Sequence, residues 1–288
     1  MVYCKNIHFY NESCWPEVNI EKIIAYLNKI LPNNVIEKEK KSLLYLNSID
    51  KQKITSFYNQ AIVQDLKKPL YIYGLNYYHS SSNYKDKKVV TPSRKIEFID
   101  LLLYDGFLIQ KLLQKFLKKY EQELTFSRLD IMVTDILLCT FDESDWRYHA
   151  RSLICGNPAL ISTSGIVEGL AKPRDYYYEL YFFKENHDIV DELKKKYNEQ
   201  FINYNDPRIN DIIEGLVLQS LFYFINSGEP FCQNRNCRLF NAHVQDDIIR
   251  INIKEKKICQ RHKILLNKYN KSHFINNNRS KNEENETT

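Results

Sequence analysis

The N-terminal part of the chain alternates between extended and helical patterns of hydrophobic residues. Val2 to Phe9 has the character of a strand, although its apolar positions alternate imperfectly. Asn19, a favoured N-cap residue, then precedes apolar residues at helical spacing, and Pro32 stops that pattern. The pattern therefore predicts a strand followed by a capped amphipathic helix. The residues of its apolar stripe are Ile20, Ile23, Ile24, Leu27 and Leu31.

This alternation continues to residue 93 and predicts a β-α-β-α part over residues 1–93. The aromatic and polar patterns near its end favour a strand followed by a surface loop. The elements predicted here are extended segments at Val35–Ile36 and Leu43–Leu46, a helix from Ser48 or Asp50 to about Leu66, an aromatic strand within Pro69–Tyr78, and a loop over His79–Ser93.

The middle of the chain combines one long amphipathic helix with several apolar runs of strand length. The helix is predicted over about Lys95 to Glu123, with Ser93 as its cap. Gly165 lies inside one predicted strand, which indicates a bulge or a close approach of another backbone segment. The predicted strands are Leu129–Thr134, Trp146–Cys155, Ala159–Val167 and Tyr176–Phe183.

A charged helix, an apolar helix and a polar tail complete the pattern. The charged helix is predicted over Asp188–Tyr197. The apolar helix runs to Ile225 and begins at Asp206, which suits an N-cap, with Pro207 at the first helical position. The tail, residues 267–288, holds almost nothing to bury and is predicted to be disordered. We therefore predict an α+β fold with a mixed sheet and packed helices.

Two pairs of metal-ligating residues follow the apolar helix. They are spaced Cys-x4-Cys and Cys-x2-His, and such short spacings let one turn present two ligands to Zn2+, which favours four tetrahedral S and N ligands. The alternative is a set of reduced core cysteines with one surface histidine, because Phe231 and Ile258 are apolar neighbours of two of the cysteines. The pairs favour a structural zinc site, a knuckle over residues 232–266. Its predicted ligands are Cys232, Cys237, Cys259 and His262.

The composition of the chain limits which partners and which cellular compartment we expect. The 288 residues carry a net charge of +5, mostly as scattered lysines, which is typical of solvated helix faces rather than of a nucleic-acid-binding surface. Seven cysteines form no secretory framework, and the sequence shows neither a signal peptide nor an apolar run long enough for a membrane span. We expect a cytoplasmic protein with no membrane partner.

One predicted strand presents alternating charged residues that suit an anion. Arg147, His149 and Arg151 alternate, so they project to one face, and the predicted hairpin places hydroxyls and Glu168 nearby. Such a face would bind an anion or a carboxylate-bearing substrate. The alternative is an ordinary solvent-facing sheet surface with salt bridges. The hydroxyls are those of Ser162 and Ser164.

Further chemistry would need residues that lie far apart in the sequence. The segment Ile161–Gly169 has neither a phosphate-loop spacing nor a nucleophile elbow. Glu168 would serve as a general base, although a lone carboxylate near a strand end is more often a surface residue. His243 lies within the zinc knuckle as an alternative ligand or a packing residue. Together with His149 these two residues offer the two-histidine, one-carboxylate set of an open catalytic zinc site.

Four motifs in the second half of the chain are distinctive: Tyr148-His149-Ala150-Arg151, Ile161 to Glu168, Lys172-Pro173-Arg174 and Cys237 to His243. They resemble those of an archaeal family labelled as metallopeptidases, over about residues 100–266. The layout is also similar to archaemetzincins, zinc-dependent peptidases in which an active-site helix precedes a cysteine-rich zinc site. The resemblance implies a zincin-like fold for a single domain of residues 1–266, with the sheet and core helix in residues 94–231.

The archaemetzincin pattern is His-Glu-x2-His-x2-Gly-x2-His-Cys, and aligning its last cysteine with Cys232 places Gly228 on the motif glycine. Every catalytic ligand and the general base are then replaced by apolar residues. The resemblance implies a protein that keeps a structural zinc and has lost zincin-type hydrolysis. The histidine places fall on Leu221, Ile225 and Phe231, and the glutamate place falls on Phe222.

Three hypotheses about function follow. The first is an archaemetzincin-like zinc-binding protein that has lost zincin-type hydrolysis and binds a peptide or a protein. The second is an active metal-dependent hydrolase that uses the dispersed ligands His149, Glu168 and His243. The third, which the mild charge makes the weakest, is a zinc-containing nucleic-acid-binding module.

Overall fold

The computed structural model describes residues 3–39, 56, 58–64, 66–67, 102–120, 127–183, 187–226, 228–229 and 231–272. Within these ranges no helix is long and apolar enough to cross a membrane. Several predicted segments lie wholly or largely outside the described residues: Leu43–Leu46, the helix from Ser48 to Leu66, Pro69–Tyr78, His79–Ser93 and the tail beyond residue 272.

The described elements alternate between strands and helices, with most helices in the second half. The strands are β1 (Asn6–Glu12), β2 (Val35–Lys38), β3 (Leu103–Asp105), β4 (Arg128–Thr134), β5 (Leu137–Asp142), β6 (Arg147–Arg151), β7 (Leu153–Ile154) and β8 (Ala159–Ser162). The helices are α1 (Ile20–Ile30), α2 (Gly106–Tyr120), α3 (Thr163–Glu168), α4 (Arg174–Phe183), α5 (His187–Lys196), α6 (Ile209–Ile225), α7 (Gln245–Ile249) with a π-helical turn at Arg250–Glu255, and α8 (260–272).

The larger sheet has the strand order β2-β1-β4-β8-β7. Strand β1 lies between β2 and β4 and is parallel to both, β8 is parallel to β4, and β7 is antiparallel to β8. The predicted central strand Leu129–Thr134 is confirmed as β4, which is buried from its second residue onward. The first strand starts at Asn6 rather than at Val2 and continues to Glu12.

Helix α1 forms where the sequence predicts it. The Asn19 side chain accepts a hydrogen bond from the Lys22 N–H at 2.8 Å, which caps the first turn. Ile20, Ile23 and Leu27 are buried against the sheet and α6, so the predicted apolar stripe faces the core.

The smaller sheet, of order β3-β5-β6, interrupts two predicted elements. The long helix predicted from Lys95 begins only at Gly106, because β3 precedes it and the Asp105 carboxylate accepts a hydrogen bond from the Leu108 N–H at 2.9 Å. The predicted strand Trp146–Cys155 is divided between β6 in the smaller sheet and β7 in the larger one. The observed architecture is therefore α+β with mixed sheets.

The prediction of one strand over Ala159–Val167 is wrong after Ser162. The Ser162 hydroxyl accepts a hydrogen bond from the Gly165 N–H at 2.8 Å and caps α3, so the backbone turns from strand to helix. The close backbone approach predicted at Gly165 is present, although in a helix. A Cβ atom at residue 165 would lie 2.0 Å from the Arg151 carbonyl oxygen.

We predict that Gly165→Ala lowers the free energy of unfolding by roughly 2–3 kcal/mol, because a backbone atom blocks the added methyl group. Urea unfolding followed by circular dichroism measures the change. The control is Glu192→Ala on the exposed face of α5, expected within about 0.5 kcal/mol of the wild type. Equal stability of the two variants would contradict the close packing of α3 on β6.

The predicted aromatic strand Tyr176–Phe183 is also wrong, because these residues belong to helix α4. Tyr176 packs against Phe201 with ring centroids 4.7 Å apart, in a small cluster that α4 shares with α5. The charged helix predicted over Asp188–Tyr197 is confirmed as α5.

Helix α6 forms the centre of the core. It begins at Ile209, later than predicted, because the Asp206 carboxylate accepts hydrogen bonds from the Arg208 backbone and side chain and holds that segment outside the helix. Almost every side chain from Ile209 to Phe222 is buried. Beyond it, α8 extends past the boundary predicted at residue 266, and Tyr269 on α8 is 1% exposed.

Candidate metal centre

Two neighbouring segments bring the predicted zinc ligands together. The Cys232 N–H donates to the Leu239 carbonyl at 2.7 Å, which folds the first ligand pair into one loop. The Arg238 N–H donates to the Lys257 carbonyl at 2.7 Å, which holds this loop beside the segment that leads into α8. Cys259 precedes α8 and His262 lies in its first turn, so both pairs face the same point.

The four ligand atoms lie close enough together to surround one metal ion. All of them lie within 4.8 Å of one another. The sulfurs of Cys232 and Cys259 are 3.8 Å apart, and His262 Nδ1 lies 3.1 Å from the Cys259 sulfur and 3.9 Å from the Cys237 sulfur. Around a zinc ion with Zn–S near 2.3 Å and Zn–N near 2.0 Å, tetrahedral ligands are about 3.6–3.8 Å apart. This group can therefore hold a metal ion.

The surroundings of the cluster shift the pKa values of three of its residues. Burial raises the pKa of the Cys237 thiol to about 12. Burial also acts to raise the pKa of Cys259, but hydrogen bonds from the His262 backbone and the neighbouring thiols outweigh it, so that pKa is lowered. Burial and the nearby Arg261 lower the pKa of His262, which keeps its imidazole neutral at pH 7. A divalent ion would hold all three cysteines as thiolates.

The cluster is joined to helix α6 by two kinds of contact. The Phe222 ring meets the His262 ring edge-on, with centroids 5.3 Å apart. The Gln219 side-chain amide donates to the Phe240 carbonyl at 3.0 Å. The segments that carry the cluster are therefore packed directly against the core helix α6.

A buried ion pair adjoins the cluster, and the sequence analysis missed it. Arg238, which follows a ligand cysteine, is fully buried, and its guanidinium donates to the Glu214 carboxylate on α6 at 3.0 Å. The guanidinium also donates to Asn252 Oδ1 at 3.2 Å and lies 4.8 Å from the centroid of the Tyr26 ring. The available signal was Glu214, a glutamate between apolar residues in the middle of α6, because a buried carboxylate requires a partner.

The predicted anion-binding face carries salt bridges and hydrogen bonds of its own. Asp145 accepts from Arg147 Nε at 2.7 Å and lies 2.8 Å from His149 Nε2, while Arg151 donates to the Thr140 hydroxyl at 2.8 Å. This matches the alternative of an ordinary sheet surface. The predicted hairpin between this strand and Ala159–Val167 is wrong, because β6 pairs with β5 and not with β8; the Ser162 and Ser164 hydroxyls donate to the carbonyls of Ile136 and Asp135 instead.

The dispersed catalytic ligands are not brought together in the described part of the chain. His149 groups with Asp142 and Asp145 at the tip of the β5–β6 hairpin, in a set that also has metal-ligand spacing. Glu168 instead lies 3.5 Å from the Lys172 ammonium. His243 is exposed, does not join the cysteine cluster, and accepts a hydrogen bond from the Ala171 N–H through its carbonyl.

The pattern of a zincin active site is absent from the sequence. None of the seven histidines is followed by another histidine four residues later. The aligned catalytic positions Leu221, Phe222 and Ile225 are each 0% exposed on α6. Helix α6 is therefore a core helix along its length.

Comparison with known proteins gives one match. No curated protein and no solved structure matches this chain. A family model matches residues 3–269, which is nearly the whole chain. The matched range includes all five strands of the larger sheet and all four cluster residues. The chain belongs to the family described as "Probable metallopeptidase family (DUF6775)".

Proposed function

We propose that this protein is an archaemetzincin-like member of its family that binds one structural zinc ion and has lost zincin-type hydrolysis. The observation that carries the proposal is the convergence of three sulfurs and one imidazole nitrogen within 4.8 Å. The proposed ligands are Cys232, Cys237, Cys259 and His262.

Zinc is the metal that this donor set suits best. Three thiolates and one neutral imidazole in a tetrahedron form a Cys3His site, a frequent structural zinc site, whereas harder ions such as Mg2+ and Ca2+ prefer oxygen donors. N–H groups of Asn234 and Cys259 donate to the sulfurs of Cys232 and Cys237 at 3.4 and 3.3 Å, and such bonds stabilise thiolate charge.

A structural role follows from the number of donors. Four protein ligands fill the tetrahedron, so no position remains for the water molecule that a catalytic zinc activates. Zincin hydrolysis further needs two histidines one helical turn apart and a carboxylate base, and α6 offers buried apolar residues at those places.

The shared sheet supports one zincin-like domain, for which a peptide or a protein is the proposed ligand. Strand β1 comes from the N-terminal part and lies between β2 and β4, so residues 1–93 contribute to the same sheet as residues 94–231. All seven cysteines, each within the described ranges, are free thiols, which supports a reducing, cytoplasmic compartment.

Metal content per chain and peptide hydrolysis, measured on wild type and Cys259→Ser, test this proposal. We expect one zinc per wild-type chain, none in the variant, and no chelator-sensitive hydrolysis of a mixed peptide library. Hydrolysis that stops on chelation and returns with zinc would overturn the loss of activity. A second metal that survives Cys259→Ser would favour a hydrolase instead, with the group of Asp142, Asp145 and His149 as the first place to search.

A further inference from the structure

Helix α4 exposes an unusual concentration of aromatic side chains. Tyr178, Tyr181 and Phe182 are 69%, 71% and 60% exposed, and Tyr177 and Phe183 are 48% and 42% exposed. These five residues, here called the aromatic patch, occupy half of a ten-residue helix. Tyr178 and Phe182 meet edge-on with centroids 5.0 Å apart, and Tyr181 and Phe182 do so at 5.6 Å, so the rings form one continuous surface.

The patch is a second apolar face on a helix that already has one. The inward face carries Tyr176, which is 4% exposed and packs with Phe201 and Tyr197, and Leu180 packs against the same cluster. Tyr177, Tyr178, Tyr181 and Phe182 follow the i, i+1, i+4, i+5 spacing of the outward face, whereas Phe183 lies seven residues after Tyr176 and borders the patch at the end of the helix. A helix with hydrophobic residues on both faces is typical of helices that are buried on both faces.

The area of the patch approaches what a stable interface needs. Burying a tyrosine or phenylalanine removes roughly 150–250 Å2 from water, so the exposed parts of the five side chains amount to roughly 400–700 Å2. A standard interface buries about 800 Å2 on each partner, and patches beyond a few hundred Å2 are uncommon on monomers. Neighbouring residues on α4 and α5 would supply the remainder.

The charges around the patch favour another copy of this chain over nucleic acid. Phosphate binding would need available cations, and two of the three lysines in the run Lys194–Lys196 pair with carboxylates: Lys196 is 2.6 Å from Glu179, and Lys194 is 3.0 Å from Asp191. A two-fold interface sets each residue near its own copy, so it needs a surface without excess charge of one sign. Helix α4 has Arg174 and Asp175 at its start, and Glu179 is engaged by Lys196.

We propose that the aromatic patch is the interface of a two-fold symmetric homodimer, in which α4 of one copy packs against α4 of the other. The proposed interface contains none of the four cluster residues, so a test of the dimer does not depend on whether the protein binds zinc. Tyr178 and Phe182 lie at its centre, because they are strongly exposed and in contact with each other.

Sedimentation equilibrium on the full chain tests the dimer, over concentrations from about 1 to about 200 µM so that mass action can reveal association. We expect a monomer–dimer equilibrium for the wild type and at least a tenfold weaker dimer for Tyr178→Ser/Phe182→Ser. The matched control is Phe107→Ser on α2, because Phe107 is 58% exposed, like Phe182, but lies outside the patch. This control should keep the wild-type dissociation constant.

A second variant, Phe182→Lys, guards against a misfolded double variant, since it places like charges across the two-fold axis while Tyr176 keeps the inward packing of α4. Circular dichroism and thermal melts establish that each variant is folded. A wild type that stays monomeric throughout would overturn the proposal and leave a different protein as the occupant of the patch. An unchanged dimer in both patch variants, or an equal loss in Phe107→Ser, would also overturn it.

Discussion

Replacing Cys237 with serine is expected to abolish metal binding and to lower the free energy of unfolding by roughly 4–5 kcal/mol or more, the range associated with loss of a metal site. Cys237 is 0% exposed, and its sulfur contacts the second ligand pair, since it accepts from the Cys259 N–H at 3.3 Å and lies 3.9 Å from His262 Nδ1. A hydroxyl at that place is a poor zinc ligand, so the remaining three donors would be left clustered without the ion that offsets their burial.

The measurement is urea unfolding with and without a chelator, together with zinc analysis of the purified protein. A chelator should destabilise the wild type to the level of Cys237→Ser and leave the variant unchanged, because both treatments remove the same ion. Cys14→Ser, at an exposed cysteine outside the cluster, is the matched control and should stay within about 0.5 kcal/mol of the wild type. A fully stable, chelator-insensitive wild type would refute a structural metal.

The second large effect is expected for Glu214→Ala, which should cost roughly 3–5 kcal/mol, because it leaves the buried Arg238 guanidinium without its carboxylate. The Arg238 and Glu214 side chains are 1% and 6% exposed, so water cannot replace the lost partner. The pair also joins the metal loop to α6, since the guanidinium donates to the Asp211 carbonyl at 2.5 Å.

A double-mutant cycle measures the interaction energy between Glu214 and Arg238 separately from their contacts with other residues. Glu214→Leu/Arg238→Met removes both charges and should recover much of the stability that either single change loses, because no uncompensated charge remains. Arg147→Ala is the contrasting control, since it breaks a surface pair with Asp145 and should cost about 1 kcal/mol or less. A loss below about 1 kcal/mol in Glu214→Ala would show that the interior tolerates the unpaired guanidinium.

The parts of the fold that the sequence predicts well are those determined by neighbouring residues. Asn19 caps α1 through the Lys22 N–H three residues later, which is visible in the sequence as a cap before an apolar stripe. The Cys3His cluster was also visible in the sequence, because the members of each ligand pair are only three or five residues apart.

The sequence fails where packing overrides local preference. The run Ala159–Val167 is uncharged throughout, and α3 is buried on every side until Glu168, so no hydrophobic period distinguishes the helix from the strand before it. In α4 the aromatic residues favour strands by propensity, and the helix is held by the contact between Tyr176 and Phe201.

Contacts between distant segments leave the weakest trace in the sequence. Arg238 and Glu214 meet across 24 positions, and neither residue has a neighbour that requires this partner. The partner strand of β6 was not visible in the sequence either: Thr140 on β5, and not Ser162, lies opposite His149. Register between strands depends on the whole sheet. The side chains that share one face of a strand can therefore be predicted from the sequence, but the strand that lies beside them cannot.

The position of β1 in the sheet sets the order in which this chain can fold during synthesis. Its Tyr10 hydroxyl bonds Asp130, a residue translated 120 positions later, and the Cys4 carbonyl accepts from Tyr269, 265 positions later. Strand β1 can pair with β2 soon after synthesis, but its pairing with β4 must wait until more than a hundred further residues have been made. Such long-range topology folds slowly. At roughly 5–20 residues per second, the β4 edge of β1 therefore stays open for several seconds or more during synthesis.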